Sequence, residues 1–387
     1  MTTMHGMCDP RFDALRDEFA ARLDSGEELG ASICVMLDGE PVVDLWGGHV
    51  DPDRTEPWRR DTIVNVFSIT KTMTALCALV LADRNLLDLD RPVAHYWPEF
   101  AANGKDDVLV RHLLSHTSGV SAWERPVELQ DIYNTDEAAA RLAGQPPWWE
   151  PGTASGYHAL NFGHLIGELV RRIDGRSLGD FFDDEIARPV GADFHIGTGP
   201  EHHGRIAPIV PPPPLEFDLG SLDQDSVLVK TLTCPLLDMN EVNSASWRQA
   251  QIGAANGHGN ARSIARIQSL VSCGGEVDGV RLLSPSTVER IFDEQIDGVD
   301  LGIATPLRFG IGYGLPHPVT VPTVRGGKVA WWAGFGGSML VNDADNRMTF
   351  AYAMNAMAPG LIGSDRSEAY LRATNEALAG TDKEAIG

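Results

Sequence analysis

Lysine is scarce in this chain. Five residues in 387 are lysines (Lys71, Lys105, Lys230, Lys328 and Lys383), against 54 acidic residues and a formal net charge of −23. Such an acidic chain, without a cluster of Lys and Arg, excludes nucleic acid and anionic membrane surfaces as partners, because both require basic patches. Cysteine is also sparse. Cys8, Cys34, Cys77, Cys234 and Cys273 are an odd number without C-x-x-C spacing, which points to reduced thiols rather than a disulfide frame or a zinc site. No apolar run reaches the length of a membrane span, and Met1 to Cys8 has neither a basic n-region nor an apolar h-region, so the expected location is cytoplasmic. The Gly-x-Ser-x-Gly elbow is missing, which removes the α/β-hydrolase route to a serine nucleophile. Gly310-Ile311-Gly312-Tyr313-Gly314 and Gly334-Phe335-Gly336-Gly337 do not open a helix after a strand with an acidic residue downstream, so dinucleotide binding is excluded as well.

What is present centres on Phe67 to Leu81. After Lys71 this stretch carries no charge until Asp83 and is apolar nearly all round, which predicts a helix buried inside a helical domain. Ser68 lies three positions before Lys71, so the two side chains share a helix face and the amine reaches the hydroxyl. Burial and the positive end of the helix dipole both disfavour the charged ammonium, and the same dipole favours an alkoxide on Ser68. Ser-x-x-Lys is a short pattern, with about a one-in-four chance of arising somewhere in a chain with so few lysines, and a serine at a helix start is often only a cap. Here its single occurrence heads the most apolar helix.

A chain this long exceeds what one core usually supports. Phe12, Leu15, Phe19 and Leu23 mark an amphipathic first helix, and Ala31–Leu37 and Val42–Trp46 read as strands around an Asp38-Gly39 turn. The middle reads as helical: Val108–Leu114, a helix capped by Thr135, Leu160–Ile173 closed by Gly175, and one started by Ser177. Residues 208–247 lack periodicity and contain Pro211 to Pro214, which suits a lid or pocket wall, or else a surface insertion. Asn260 and Ser284-Pro285 start two further helices. Strands then return at Val329–Trp332, Ser338–Val341 and Met348–Met354, before a last helix near Ser367–Leu378. The expected fold is α+β: an antiparallel sheet flanked by the N- and C-terminal helices (1–66 and 251–387) with a mostly helical domain (67–250) inserted. His116 reads as a turn histidine bonded to backbone rather than a general base, and His202, His203 and His258 read as surface or turn residues, since no carboxylate or His-x-x-x-His spacing makes them ligands.

Three separated segments, spanning nearly the whole chain, together resemble the serine β-lactamase and penicillin-binding-protein superfamily, and especially the class C β-lactamase-like esterases of family VIII. They are Ser68-Ile69-Thr70-Lys71; Pro151-Gly152 leading to Tyr157, with Phe162 to Gly167 beyond; and Trp332-Ala333-Gly334-Phe335-Gly336-Gly337-Ser338. The resemblance implies a β-lactamase-like fold. It makes Ser68 the acylated nucleophile, Lys71 its basic partner, and Tyr157 a phenol of lowered pKa that relays protons. The third segment is expected on an edge strand beside Ser68, its glycines leaving room for substrate, with the N–H groups of Ser68 and Phe335 forming an oxyanion hole. No metal or organic cofactor is implied.

Two departures favour the esterase branch. Tyr157-His158-Ala159 stands where class C enzymes have Tyr-x-Asn, and Trp332-Ala333-Gly334 stands where they have Lys-Thr-Gly. A carboxylate-holding cation is thereby lost and Trp332 becomes an apolar wall, although Arg325 or Lys328 offers a replacement charge. Uncharged small-molecule esters are the expected substrates. A β-lactamase, a D,D-peptidase, an acyltransferase and a silent binding homologue stay open as alternatives.

Overall fold

In a computed structural model the chain is described at residues 3–212 and 219–384, so Pro213 and Pro214 of the proline run lie outside the described residues. Nine strands form the main sheet: β1 (Met4–Cys8), β2 (Gly30–Leu37), β3 (Glu40–Gly48), β4 (Ile296–Val299), β5 (Pro306–Phe309), β6 (Gly314–Leu315), β7 (Val329–Ala333), β8 (Met339–Asp343) and β9 (Met348–Met354). They lie antiparallel in the order β1-β3-β2-β9-β8-β7-β6-β5-β4. The hairpin between β2 and β3 turns at Asp38 and Gly39, at φ 53° and 84°, the left-handed pair that a two-residue turn requires.

Side-chain alternation along the strands supplies two cores. Ile33, Val35, Phe350 and Tyr352 face α1 (Asp13–Ser25) and the terminal helix Asp365–Glu384, while Cys34, Met36, Leu340 and Ala351 face the opposite layer. That layer contains α2 (Thr70–Asp83), α3 (Thr135–Gly144), α4 (Phe162–Asp174) and α5 (Ala261–Ser272). α2 is buried from Thr70 to Leu81, as its all-round apolar sequence predicts. Antiparallel sheet, terminal helices on one face and a helical layer on the other form the β-lactamase-like arrangement expected from the sequence. Among the described residues no helix is long and apolar enough to cross a membrane.

Several local expectations change. Asn134, not Thr135, caps α3, its side chain accepting from the Glu137 N–H. β1 and β4–β6 are short and carry no sequence signal marked above; β1 and β4 are the two edges of the sheet. Residues 208–247 include a short helix, Val227–Thr233, whose buried Thr231 hydroxyl bonds the Ser121 hydroxyl at 2.9 Å.

The two ends of the chain are tied by a buried ion pair. Glu28 accepts from Arg366 at 2.9 Å and from the hydroxyls of Tyr352 and Tyr370. Removing one partner of such a pair strands the other charge in the core. Arg366→Ala is therefore expected to lower stability by roughly 3–5 kcal/mol at neutral pH, read from the urea midpoint. The deficit should shrink as pH falls, because burial already raises the Glu28 pKa and the orphaned carboxyl then takes up a proton.

Candidate active site

Ser68 sits in a 3-10 turn, Phe67–Ile69, that feeds directly into α2, rather than within the α-helix itself. Phe67 is held at φ 45°, a left-handed conformation that costs a non-glycine residue about 1–3 kcal/mol and is maintained only by its surroundings. Ser68 is the one partly exposed residue between Thr62 and Leu81.

Lys71 is 2% exposed, and among the described residues it has no carboxylate partner. Its Nζ donates to the Ala159 carbonyl at 2.8 Å and the Ala254 carbonyl at 2.9 Å, and lies 3.2 Å from Ser68 Oγ. Burial alone pushes its pKa well down. A neutral amine has two N–H donors and one lone pair: two carbonyls use the donors, and the lone pair remains for the Ser68 O–H. Glycine delivers one of those carbonyls. A Cβ on Gly163 would lie 2.4 Å from the Gly253 nitrogen, and one on Gly253 would lie 2.7 Å from Thr74 Oγ1, so the Gly253-Ala254 backbone can touch both α4 and α2.

Tyr157 precedes α4 and is 8% exposed. Its hydroxyl accepts the Trp332 indole N–H at 3.1 Å, the nearby Ser68 side chain favours the ionised phenol, and Lys71 Nζ lies 4.6 Å from the ring centroid. The three residues singled out from the sequence are thus assembled. The expected lowering of the Tyr157 pKa is overturned: burial raises it, and the nearby Asp300 carboxyl adds in the same direction. Burial also disfavours the charged form of Lys71, the cation that would have offset this.

Trp332 does more than form a wall. Its ring packs with Leu307, Phe309 and Ile303 around Tyr157, while its N–H orients the phenol. β7 is not an edge strand. It pairs with β8 along its length, but with β6 only at Trp331–Gly314, leaving Trp332 to Gly334 without a ladder partner on that side. Gly334 serves packing rather than substrate room, since a Cβ there would meet the Val66 carbonyl oxygen at 2.3 Å and Ser338 Oγ at 2.2 Å. The strand thereby leans on the residues just before Ser68. Ala333 is buried beside it, and the Phe335 ring meets Phe67 edge-on at 5.7 Å. Among the described residues no protein acceptor takes the Phe335 N–H, and the Ser68 N–H belongs to the opening turn of a helix, where intrahelical acceptors are lacking.

Neither replacement cation reaches the site. Lys328 is exposed and held by Glu289 at 2.9 Å, and Arg325 lies exposed in the same loop. His116 does bond backbone, accepting the His158 N–H at 3.1 Å, but it is buried among Tyr157, Phe162 and Phe309. Because His116 Nδ1 is an acceptor, the 2.8 Å contact from His158 Nδ1 requires a proton on His158, whose Nε2 then accepts from the Ser118 hydroxyl at 2.6 Å. His202 and His203 are half-buried in the 3-10 turn Pro200–Arg205. His258 is no surface residue: it is fully buried in a short strand, bonds Thr198 at 3.0 Å, and burial lowers its pKa to about 3. Three contributors had no sequence signal: the Ala254 carbonyl, the His116–His158 pair, and Asp300, which accepts the Tyr157 N–H at 3.0 Å.

Fold and site together place the chain among the esterase- and β-lactamase-like serine hydrolases. It belongs to the Beta-lactamase family, whose model matches residues 15–374. The chain is similar to "Esterase/beta-lactamase LipL" of Mycobacterium tuberculosis (strain ATCC 25618 / H37Rv), at 34% identity over 94% of this chain and 85% of that one. Among solved structures it superposes on a family VIII carboxylesterase with a TM-score of 0.90 at 38% identity, covering 97% of this chain and 100% of the other. A penicillin-binding-protein homologue from Caulobacter crescentus gives 0.88 at 33% identity, covering 97% and 100%.

The buried amine sets a stability test. Lys71 binds a proton more weakly folded than unfolded, so between its depressed folded pKa and the ordinary value of 10.5 the unfolded state holds more protons and stability rises with pH. Lys71→Met is expected to be more stable than wild type at pH 7, and the gap should close as pH approaches 10, measured as the difference in urea midpoints.

Proposed function

We propose that the protein is a carboxylesterase that works through an acyl-enzyme on Ser68. The observation that carries this reading is the Lys71 amine, buried without a carboxylate, donating to two carbonyls and lying 3.2 Å from Ser68 Oγ. Ser68 gives its proton to Lys71 as Oγ bonds to the ester carbonyl carbon, and the N–H groups of Ser68 and Phe335 receive the developing oxyanion. The Tyr157 phenol, kept protonated by burial, gives its proton to the departing alkoxide. The resulting phenolate is stabilised by the Lys71 ammonium 4.6 Å from its ring, which is present only while the acyl-enzyme exists. In the second half Tyr157 takes a proton from water, hydroxide attacks the acyl carbon, and Lys71 returns the first proton to Ser68. Every group ends as it began.

Uncharged esters are favoured over carboxylate-bearing lactams because Trp332 occupies the place of a cation, Lys328 is bound to Glu289, and the surroundings of Tyr157 are apolar. The relatives named as esterases, LipL and the family VIII carboxylesterase, support the same choice. The LipL name also includes β-lactamase, so the test contains both chemistries.

Wild type and Ser68→Ala are incubated with p-nitrophenyl acetate, p-nitrophenyl butyrate and a chromogenic cephalosporin, and the protein is weighed intact. Wild type is expected to turn over the esters and to carry the acyl mass, and Ser68→Ala to lose at least about a thousandfold in kcat and to carry none. Turnover of the cephalosporin alone overturns the esterase choice, and an undiminished rate in Ser68→Ala overturns the mechanism. kcat/KM for the ester is expected to fall with acidity as pH drops through the depressed Lys71 pKa, because only the neutral amine accepts the Ser68 proton.

A further inference from the structure

The loop between β4 and β5 carries a carboxyl group whose arrangement the reaction just described does not use. Asp300 is fully buried, and its Oδ1 accepts three N–H groups, from Gly302 at 2.8 Å, Tyr157 at 3.0 Å and Ile303 at 3.1 Å, while the Ser155 side chain nearby also favours the charged carboxylate. One oxygen that gathers three main-chain donors ties together the two segments that supply them.

Two of those donors belong to Asp300's own loop, and the third belongs to a residue 143 positions away. The loop is itself fixed: the Asp300 N–H bonds the Thr305 carbonyl and the Ala304 N–H bonds the Asp300 carbonyl, each at 2.9 Å. It grips the Tyr157 segment a second time, through the Leu301 N–H on the Ser155 carbonyl at 2.8 Å. Gly302 fits closely under the same amide, since a Cβ there would lie 2.8 Å from the Tyr157 nitrogen. Ile303 then packs in the apolar cluster with Tyr157 and Trp332. The phenol is therefore oriented at both ends, by Trp332 on its oxygen and by Asp300 on its backbone.

We propose that Asp300 is a positioning residue for Tyr157: by accepting the Tyr157 N–H on the oxygen that also closes its own loop, it fixes the phenol over Ser68 for proton transfer to the leaving group. This rests on the reading of Tyr157 given above. A 1 Å displacement of a proton donor is enough to cost about a hundredfold in rate, so the effect belongs in kcat rather than in binding.

The test measures kcat and KM for p-nitrophenyl butyrate in Asp300→Ala, Asp300→Asn, Gly302→Ala, Tyr157→Phe and the double variant Asp300→Ala/Tyr157→Phe, with thermal midpoints alongside. Asp300→Ala is expected to lower kcat at least tenfold with KM within about twofold. Asp300→Asn, which keeps Oδ1, is expected to restore most of that rate. Gly302→Ala, which leaves the carboxyl in place but crowds the Tyr157 amide, should also lower kcat, and it carries the test if Asp300→Ala does not fold. In the Tyr157→Phe background Asp300→Ala should change kcat little further, as two residues acting through one proton transfer are not additive. Full kcat in Asp300→Ala or, should that variant not fold, in Gly302→Ala overturns the proposal, as does an equal further loss in the double variant. Full activity in Tyr157→Phe instead overturns the role given to Tyr157 and is thus told apart from a failure at Asp300.

Discussion

An amine kept out of water without an opposite charge is the constraint that the rest of this structure serves. Moving a cation into the interior without a carboxylate is costly, so burial favours the neutral amine at Lys71, the form that the proposed mechanism needs as its base. The surroundings follow from this requirement. Two carbonyls occupy its N–H groups, one from the turn after Tyr157 and one from the Gly253-Ala254 turn, and α2 has no charge along its buried length. A carboxylate near Lys71 would hold the proton on the amine and remove the base.

The same logic orders the second shell of contacts. Tyr157 lies in the same dry space, where burial favours the phenol, so at rest the site contains no net charge on either group. In the proposed reaction, charges form only when the ester is attacked. Phe67 at positive φ opens the turn that carries Ser68, and the close approach of Gly334 to Val66 packs the strand end against the residues just before it. Strand, turn and helix thus meet at one hydroxyl.

Much of this was legible from residues alone, for identifiable reasons. Ser68 and Lys71 are three apart on a helix whose burial is written in its own composition, and β2, β8 and β9 read as apolar runs because both faces of the sheet are covered there. What escaped the sequence was set by tertiary contact. The edge strands are short, and Asp300 reaches Tyr157 across 143 residues with no pattern to mark it. The direction of the Tyr157 pKa was misjudged because it assumed a charged lysine beside the ring, whereas burial acts on both groups together. Trp332 was read from its apolar ring, while its single polar atom makes the contact that matters to the phenol.

The sheet has a history implied by its order. β2 lies between β3, its hairpin neighbour, and β9, whose residues Met348–Met354 pair with Leu37–Ala31. As the chain emerges from a ribosome, the hairpin forms early but one of its edges stays bare until more than three hundred further residues have been made. α4, which packs on α2, and α3, which packs on α4, make more local contacts and have time to gather around α2 before the sheet closes. An unpaired strand edge exposed for so long is an invitation to aggregation, so the abundance of this protein in a cell should depend on how quickly its last third is translated and docked.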